Sequence, residues 1–364
     1  MAEYAGLLAV LALLVVFFGL RTEHFLSRET FQTIANQIPA TVVIAVGMTY
    51  VLIIAGIDLS VGSVAGLAGV IMGISLLGRD VSFHLPIIGV DVALRLKLGL
   101  FGAVALALAA GLLCGLLNGV VAIRWVVPSF IVTLGMLEIA RGSAYLLTNS
   151  QTQYLGSQVT VMCEPSLIVG IKDWAPGRRL PFVAWSGDGG RSVEDALEAA
   201  NASYLLFSLP FLVAVAIVTA GQLILSRTVF GRYVVGIGTN EEAMRLSGID
   251  PRPVKIAVFA ASGLLSALAG VIDTSRFEAA DPNAGTGFEL QVIAAVVIGG
   301  TSLMGGRGSV VASFLGVLIM AVLGAGLAAL GAKHETKRIV TGCVIIAAGV
   351  LDYYRRRLSR RRAA

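Results

Sequence analysis

Residues 98–123 read LGLFGAVALALAAGLLCGLLNGVVAI, a run with no charged residue and one side-chain amide, Asn118. A helix crosses the roughly 30 Å hydrocarbon core of a bilayer in about 20 residues, and this run is long enough to do so. Its apolar residues do not alternate with polar ones, as a membrane β-strand would require. A helix is then the backbone that satisfies its own amides and carbonyls in lipid. Gly111, Gly115 and Gly119 recur at every fourth position, the spacing along which membrane helices approach closely.

Working outward, similar runs occupy 4–20, 38–56, 61–77, 130–147, 203–226, 254–272, 289–304, 308–331 and 338–354, which with 98–123 makes ten spans. The runs at 61–77 and 289–304 are short and rich in glycine, so they are expected to be tilted, broken or only partly crossing. The first run lacks a basic leader and a small-residue cleavage site, so it is expected to be a retained helix. Composition agrees: 57% of residues are hydrophobic and 13% charged, against about 25% charged in a soluble domain. The expectation is an all-α polytopic membrane protein with one domain over 1–364.

Gly62 and Gly66, and Gly69 and Gly73, repeat the G-x-x-x-G spacing. They mark either a seam between two copies or close packing within one chain; the second is favoured because each helix has more neighbours inside a subunit than outside it. The joining segments are 21–37, 78–97, 149–203, 226–255, 273–289 and 332–338. The longest, 149–203, is read as an extended outer loop, and its piece Ser192–Ala200 as a short amphipathic surface helix.

Orientation follows the distribution of Lys and Arg. Segment 226–255 holds Arg227, Arg232, Arg245, Arg252 and Lys255, and the tail 355–364 holds six arginines. Four spans separate them, so both lie on one face, read as cytoplasmic, with the N-terminus on that face too. Arg21 and Arg28 after the first span, with Glu3 before it, argue locally for the opposite. The basic tail beside an apolar run suits anionic membrane lipid and not nucleic acid.

The chain has no G-x-x-x-x-G-K-[ST] phosphate loop, no H-E-x-x-H and no G-x-S-x-G. His24, His84 and His334 are scattered over loops, and the three cysteines show no metal-ligand spacing. Neither catalysis nor a cofactor is expected. The ionisable residues inside apolar runs are few. Glu138 and Arg141, three apart, are expected to pair. Asp58, in Gly56-Ile57-Asp58-Leu59-Ser60-Val61-Gly62, either lines a passage where the helix breaks or accepts bonds from freed amides while Ser60 caps the next helix. Asn118, Ser129 and Thr133 stand in the same position: each can face a passage or hold a neighbouring helix. On the cytoplasmic side, Asn240 or Thr239 is placed to cap a two-turn helix with Glu241 and Glu242 in its first turn, and Gly248 stops it. That helix, with Ala243, Arg245, Leu246 and Ser247, has the form of a docking knob; the alternative is an interfacial helix lying on lipid headgroups, against which its acids argue weakly.

Three strings, GIDLSVGSVAGLAG (56–69), GTNEEAMRLSGID (238–250) and AAVVIGGTSLMGGRGSV (294–310), together with PSFIVTLG (128–135), resemble the ribose, xylose, arabinose and galactose permeases of ATP-binding cassette (ABC) importers. The resemblance covers about 35–357. It implies roughly ten helices per subunit in a fold similar to that of the vitamin B12 importer, a homodimer, a separate cytoplasmic ATPase that binds the ATP, and a periplasmic sugar-binding protein. Asn240, Glu241, Glu242, Ala243, Arg245, Leu246, Ser247 and Gly248 would then form the coupling helix. Asp58, Ser60, Asn118, Ser129, Phe130 and Thr133 would line the translocation path. The chain is expected to translocate a monosaccharide by alternating access in the inner membrane; the alternative is a secondary transporter or channel for a small polar solute.

Overall fold

The protein is seen in a computed structural model that describes residues 2–85, 90–156, 159, 165–175, 178–185, 203–333, 335–344, 346–347 and 350. The segment Ser192–Ala200 and the tail 355–364 lie outside the described residues. The helices in chain order are α1 (Ala2–Arg21), α2 (Arg28–Ile53), α3 (Val61–Leu77), α4 (Leu100–Arg124), α5 (Ser129–Thr148), α6 (Leu209–Arg227), α7 (Val229–Thr239), α8 (Glu241–Leu246), α9 (Pro251–Phe277), α10 (Phe288–Ile298), α11 (Val310–Ala329) and α12 (335–344). Among the described residues, seven of these are long and apolar enough to cross a membrane: α1, α2, α4, α5, α6, α9 and α11. The chain is a mostly helical, multi-pass membrane protein.

The segments outside the helices depart from the all-α expectation. Segment 78–97, read as plain loop, contains an antiparallel hairpin of β1 (Asp80–Leu85) and β2 (Val90–Arg95), with Asp80 opposite Arg95 and Leu85 opposite Val90. Both strands alternate in the two-residue rhythm of a sheet. Within 149–208, β4 (Pro165–Ala175) lies between β5 (Arg178–Trp185) and β6 (Ser203–Ser208) in an antiparallel sheet, and β3 (Gln153–Tyr154) pairs with β7 (Ala279–Ala280). The span expected at 203–226 therefore opens as a strand, and its helix begins only at Leu209. The loop expected at 21–37 is mostly helix: the Ser27 side chain accepts from the Thr30 amide and starts α2 at Arg28.

Helix α9 is the organising element, packed on α2, α3 and α4. Its contact with α4 explains the glycine ladder. A Cβ on Gly111 would come within 2.6 Å of the Gly263 carbonyl oxygen, and one on Gly119 within 3.0 Å of Ile256 Cα. The α3 glycines are likewise filled from inside the chain: Gly66 faces Ala284, Gly69 faces Thr274 and Gly73 faces Ala280. The seam these motifs mark thus lies within one subunit.

Helices α3 and α10 are the two short ones, and α3 is buried over nearly its whole length. Irregular backbone precedes each of them, at 54–60 and 281–287. The run expected at 289–304 is helical only to Ile298 and then turns through Gly300, Gly305 and Gly306, whose φ angles of +93°, +83° and +74° suit glycine.

One end of the bundle gathers Tyr4, Gln222 and Ser309: the Tyr4 and Ser309 hydroxyls are 3.0 Å apart, and Ser309 donates to Gln222 Oε1 at 3.1 Å. The start of α1 therefore shares an end with the close of α6 and with α7 and α8. This is the placement the basic 226–255 segment implies, against the local charges around Arg21.

Candidate functional site

The chain leaves α2 at Ile53 and enters α3 at Val61; the Ile54, Ala55 and Gly56 amides still bond carbonyls of α2, and the residues from Ile57 to Ser60 lie in neither helix. Side chains of α5 and Asp58 of the loop itself take amides of this stretch, and α4 and α9 brace the loop's side chains. The Ile57 amide donates to Ser129 Oγ (3.0 Å) and the Leu59 amide to Thr133 Oγ1 (3.1 Å), while the Thr133 hydroxyl donates to the Ile57 carbonyl (3.2 Å). Asp58 folds back on its own loop: the Ser60 amide (3.0 Å) and hydroxyl (2.7 Å) both donate to its Oδ1, and Ser262 of α9 donates to its Oδ2 (2.8 Å). Asn118 of α4 donates through Nδ2 to Ser60 Oγ (3.0 Å).

Five of the six residues singled out for a path thus meet at one helix break. Asp58, Ser60 and Asn118 are 1% exposed and Thr133 is fully buried, whereas Phe130 is 47% exposed. The buried members use their hydrogen-bonding capacity on the protein, and Asn118 Oδ1 is left inside without a partner. Ser60, expected to cap α3, makes no side-chain cap bond there; its hydroxyl goes to Asp58.

The second break is held by Arg141. The expected ion pair with Glu138 does not form. Instead Arg141 Nη1 donates to the carbonyls of Pro282 and Ala284, each at 2.7 Å, and the Tyr145 hydroxyl meets Asn283 Oδ1 at 2.5 Å. Those two carbonyls lie in irregular backbone without helical donors, and the guanidinium supplies the donors they lack. Reading the sequence locally missed these contacts, because Asp281-Pro282-Asn283-Ala284-Gly285 lies far along the chain. Its turn composition just before a short apolar run was the available signal.

The knob forms as its sequence suggests. Asn240 Oδ1 accepts from the Ala243 amide (3.0 Å), Glu241 and Glu242 sit in the first turn, and Gly248 takes φ +84° after the helix. Thr239 is not the cap; its hydroxyl bonds the Val235 carbonyl in α7, a helix the sequence reading left as loop. Helix α8 has no buried residue. Glu242, Ala243, Arg245, Leu246, Ser247 and Gly248 are all exposed, Leu246 at 82%. Glu241 is instead tied to Lys255 of α9 in an ion pair, and Met244 tucks its sulfur against Gly236 of α7. The knob is thereby fixed on two helices. Gly238 in turn lies against Ile53 and Gly306, where the Gly306 amide donates to the Ile53 carbonyl (2.8 Å).

Comparison with known proteins agrees with this architecture. Residues 30–349 match the model of the family described as branched-chain amino acid transport system / permease component. The chain is 35% identical to the ribose import permease protein RbsC of Escherichia coli (strain K12), over 96% of this chain and 93% of that one. It is 35% identical to the xylose transport system permease protein XylH of the same organism, over 96% and 91%. RbsC of Haemophilus influenzae is 34% identical over 94% and 91%. No solved structure matches the chain. A membrane bundle with paired helix breaks and a clasped surface knob, matched end to end by these permeases, belongs to the branched-chain amino acid transport system / permease component family.

Proposed function

We propose that the chain is the membrane-spanning subunit of an ATP-driven importer of a monosaccharide, ribose- or xylose-like. The family description names amino acids, but the full-length relatives are named for ribose and xylose. The single observation carrying the mechanism is α8: a rigid, capped helix with no buried residue and an apolar tip, Leu246, aimed away from the bundle. Such a face on a clasped helix is built to fill a groove in another protein. We assign that groove to a cytoplasmic ABC ATPase subunit, which binds the ATP; the permease itself is a transport subunit and holds no cofactor.

Two copies, arranged as in the vitamin B12-type importer with about ten crossings each, enclose the passage in the inner membrane. A periplasmic sugar-binding protein docks at the outer loop 149–203, and the basic tail 355–364 is assigned to the cytoplasmic face. ATP closure moves the knobs, and the bundle changes the side on which it opens. Asp58, Ser60, Asn118, Ser129 and Thr133 hold the break beside the path, and Phe130 faces into it.

The runner-up, a secondary transporter, draws on the irregular backbone before α3 and α10, since discontinuous helices also build transporter sites. Co-purification separates the two: wild-type chain should retain the ATPase and binding protein encoded with it, and Leu246→Asp should lose the ATPase while keeping its thermal midpoint. Retention of the ATPase by Leu246→Asp would remove the docking role.

A further inference from the structure

In a bundle bathed by lipid, the more polar a spanning helix is, the more of it should be covered by protein. Helix α2 obeys: it is among the less apolar spans, and 83% of its most apolar stretch is buried. Helices α1 and α4 are richly apolar, and 11% and 22% of theirs is buried. Helix α5 breaks the relation. It is the least apolar of the seven membrane-length helices, yet only 22% of it is buried.

The exposed part of α5 carries Glu138, near the middle of the helix and among the described residues without an ion pair. Gly135 and Gly142, about one turn to either side, face open space: a Cβ at either would meet nothing within 4 Å. A carboxylate halfway along a spanning helix is costly against hydrocarbon and tolerable against water. Beside it lies the segment pinned by Arg141, where Asn283, Thr286 and Gln291 are also exposed. Glu289 and Asp281 lie within electrostatic reach of Arg141 together with Glu138, so the three acids outnumber the one cation.

We propose that the Glu138 face of α5, flanked by Gly135 and Gly142, is the water-lined wall of the passage, whose negative field admits a neutral polyol and turns back anions. This rests on the transport function proposed above and adds to it the wall, its central residue and its charge selectivity. Glu138 offers an acceptor to sugar hydroxyls, and the open glycines leave width for a ring to pass. Arg141 contributes by holding the 282–284 backbone against α5; it is a positioning residue.

The test is cysteine accessibility in the assembled permease–ATPase–binding protein complex in proteoliposomes. Cys114, Cys163 and Cys343 are first replaced by serine, and ATP-dependent uptake is verified. Gly135→Cys and Gly142→Cys are then each treated with a cationic and with an anionic membrane-impermeant methanethiosulfonate. Leu113→Cys, among the apolar exposed residues of α4 and 57% exposed, is the reference. Expected are labelling at least tenfold faster than at Leu113→Cys, a several-fold preference for the cationic reagent after correction for reactivity toward free thiol, and a clear reduction of that preference on adding Glu138→Gln, with Asp281 and Glu289 supplying the remainder. Labelling no faster than at Leu113→Cys overturns the wall. So does cross-linking between copies without labelling, or a charge preference that Glu138→Gln leaves undiminished. Labelling reports water and not transport. Its failure with uptake intact therefore sinks this inference alone, and nucleotide-independent uptake with labelling intact sinks the importer function alone.

Discussion

Asp58 is the residue whose role the sequence left most open, and its surroundings give it a holding role. Three donors, the Ser60 amide, the Ser60 hydroxyl and the Ser262 hydroxyl, end on its two oxygens in a site 1% exposed. Orphaning buried donors costs about 1–3 kcal/mol each. Asp58→Ala should therefore destabilise the protein by roughly 3 kcal/mol or more, seen as a large fall in thermal midpoint in detergent. Asp58→Asn keeps one acceptor oxygen, and the Ser262 hydroxyl can turn to accept from the new amide, so its cost should be about 1 kcal/mol. Equal losses for the two variants would mean that the charge itself matters beyond the bonds. Arg141→Met should leave the Pro282 and Ala284 carbonyls unanswered and lower the midpoint similarly, while Arg141→Lys, with one compact ammonium, recovers part of the loss. The sequence marked Asp58 as significant because ionisable residues in apolar runs are rare. It could not show that both carboxylate oxygens are taken, since Ser262 lies on a helix two hundred residues away. Glu138 and Arg141 were misjudged for the same reason: proximity on one helix was visible, and the carbonyls competing for the guanidinium were not.

Among the elements, α8 was the most legible. Asn240, the paired acids and Gly248 are local signals that act within a turn, and they give the observed cap, first turn and stop. The clasp was not legible, because the partner of Glu241 is Lys255, on the next helix. Reversing one charge, as in Glu241→Lys, should loosen α8 and lower ATP-driven uptake; the swap Glu241→Lys with Lys255→Glu should restore much of it. Failure of the swap to rescue uptake would mean that Glu241 itself touches the partner. The route inward runs through α7. Gly238 has no room for a side chain: a Cβ would lie 2.6 Å from the Gly306 nitrogen and 2.8 Å from the Ile53 carbonyl carbon. Ile53 is the last residue of α2 before the Asp58 break. Backbone contact at Gly238 therefore joins α7, which leads into the knob, to the residue at which α2 ends before the break. Gly238→Ala should reduce uptake more than it reduces ATPase binding, measured side by side on the same preparation. The strands were missed because long apolar helices dominate the pattern: β1 and β2 alternate over only six residues each, too short to stand out beside a crossing helix.

At the scale of the molecule, length and apolarity located nearly every long helix, since a bilayer imposes a fixed span on any sequence that crosses it. They misplaced boundaries where polar residues continue a helix, as at Arg28–Gln37, or where a strand feeds into one, as at Ser203–Ser208. The glycine spacing located close packing but not its partners; these proved to be α9, Ala280 of β7 and the 284–285 turn. What emerges is a bundle with two irregular joints, one braced by Asp58, Ser129 and Thr133 and the other by Arg141, and a clasped knob at one end. The importer function proposed for this arrangement takes its energy from a separate ATPase subunit. The most direct measurement is ribose and xylose uptake into proteoliposomes containing the permease alone, the permease with its ATPase and binding protein, and the full set with Leu246→Asp. Concentrative uptake should appear only in the full wild-type set with ATP and fall at least tenfold in Leu246→Asp. Uphill uptake by the permease alone, without nucleotide, would contradict it.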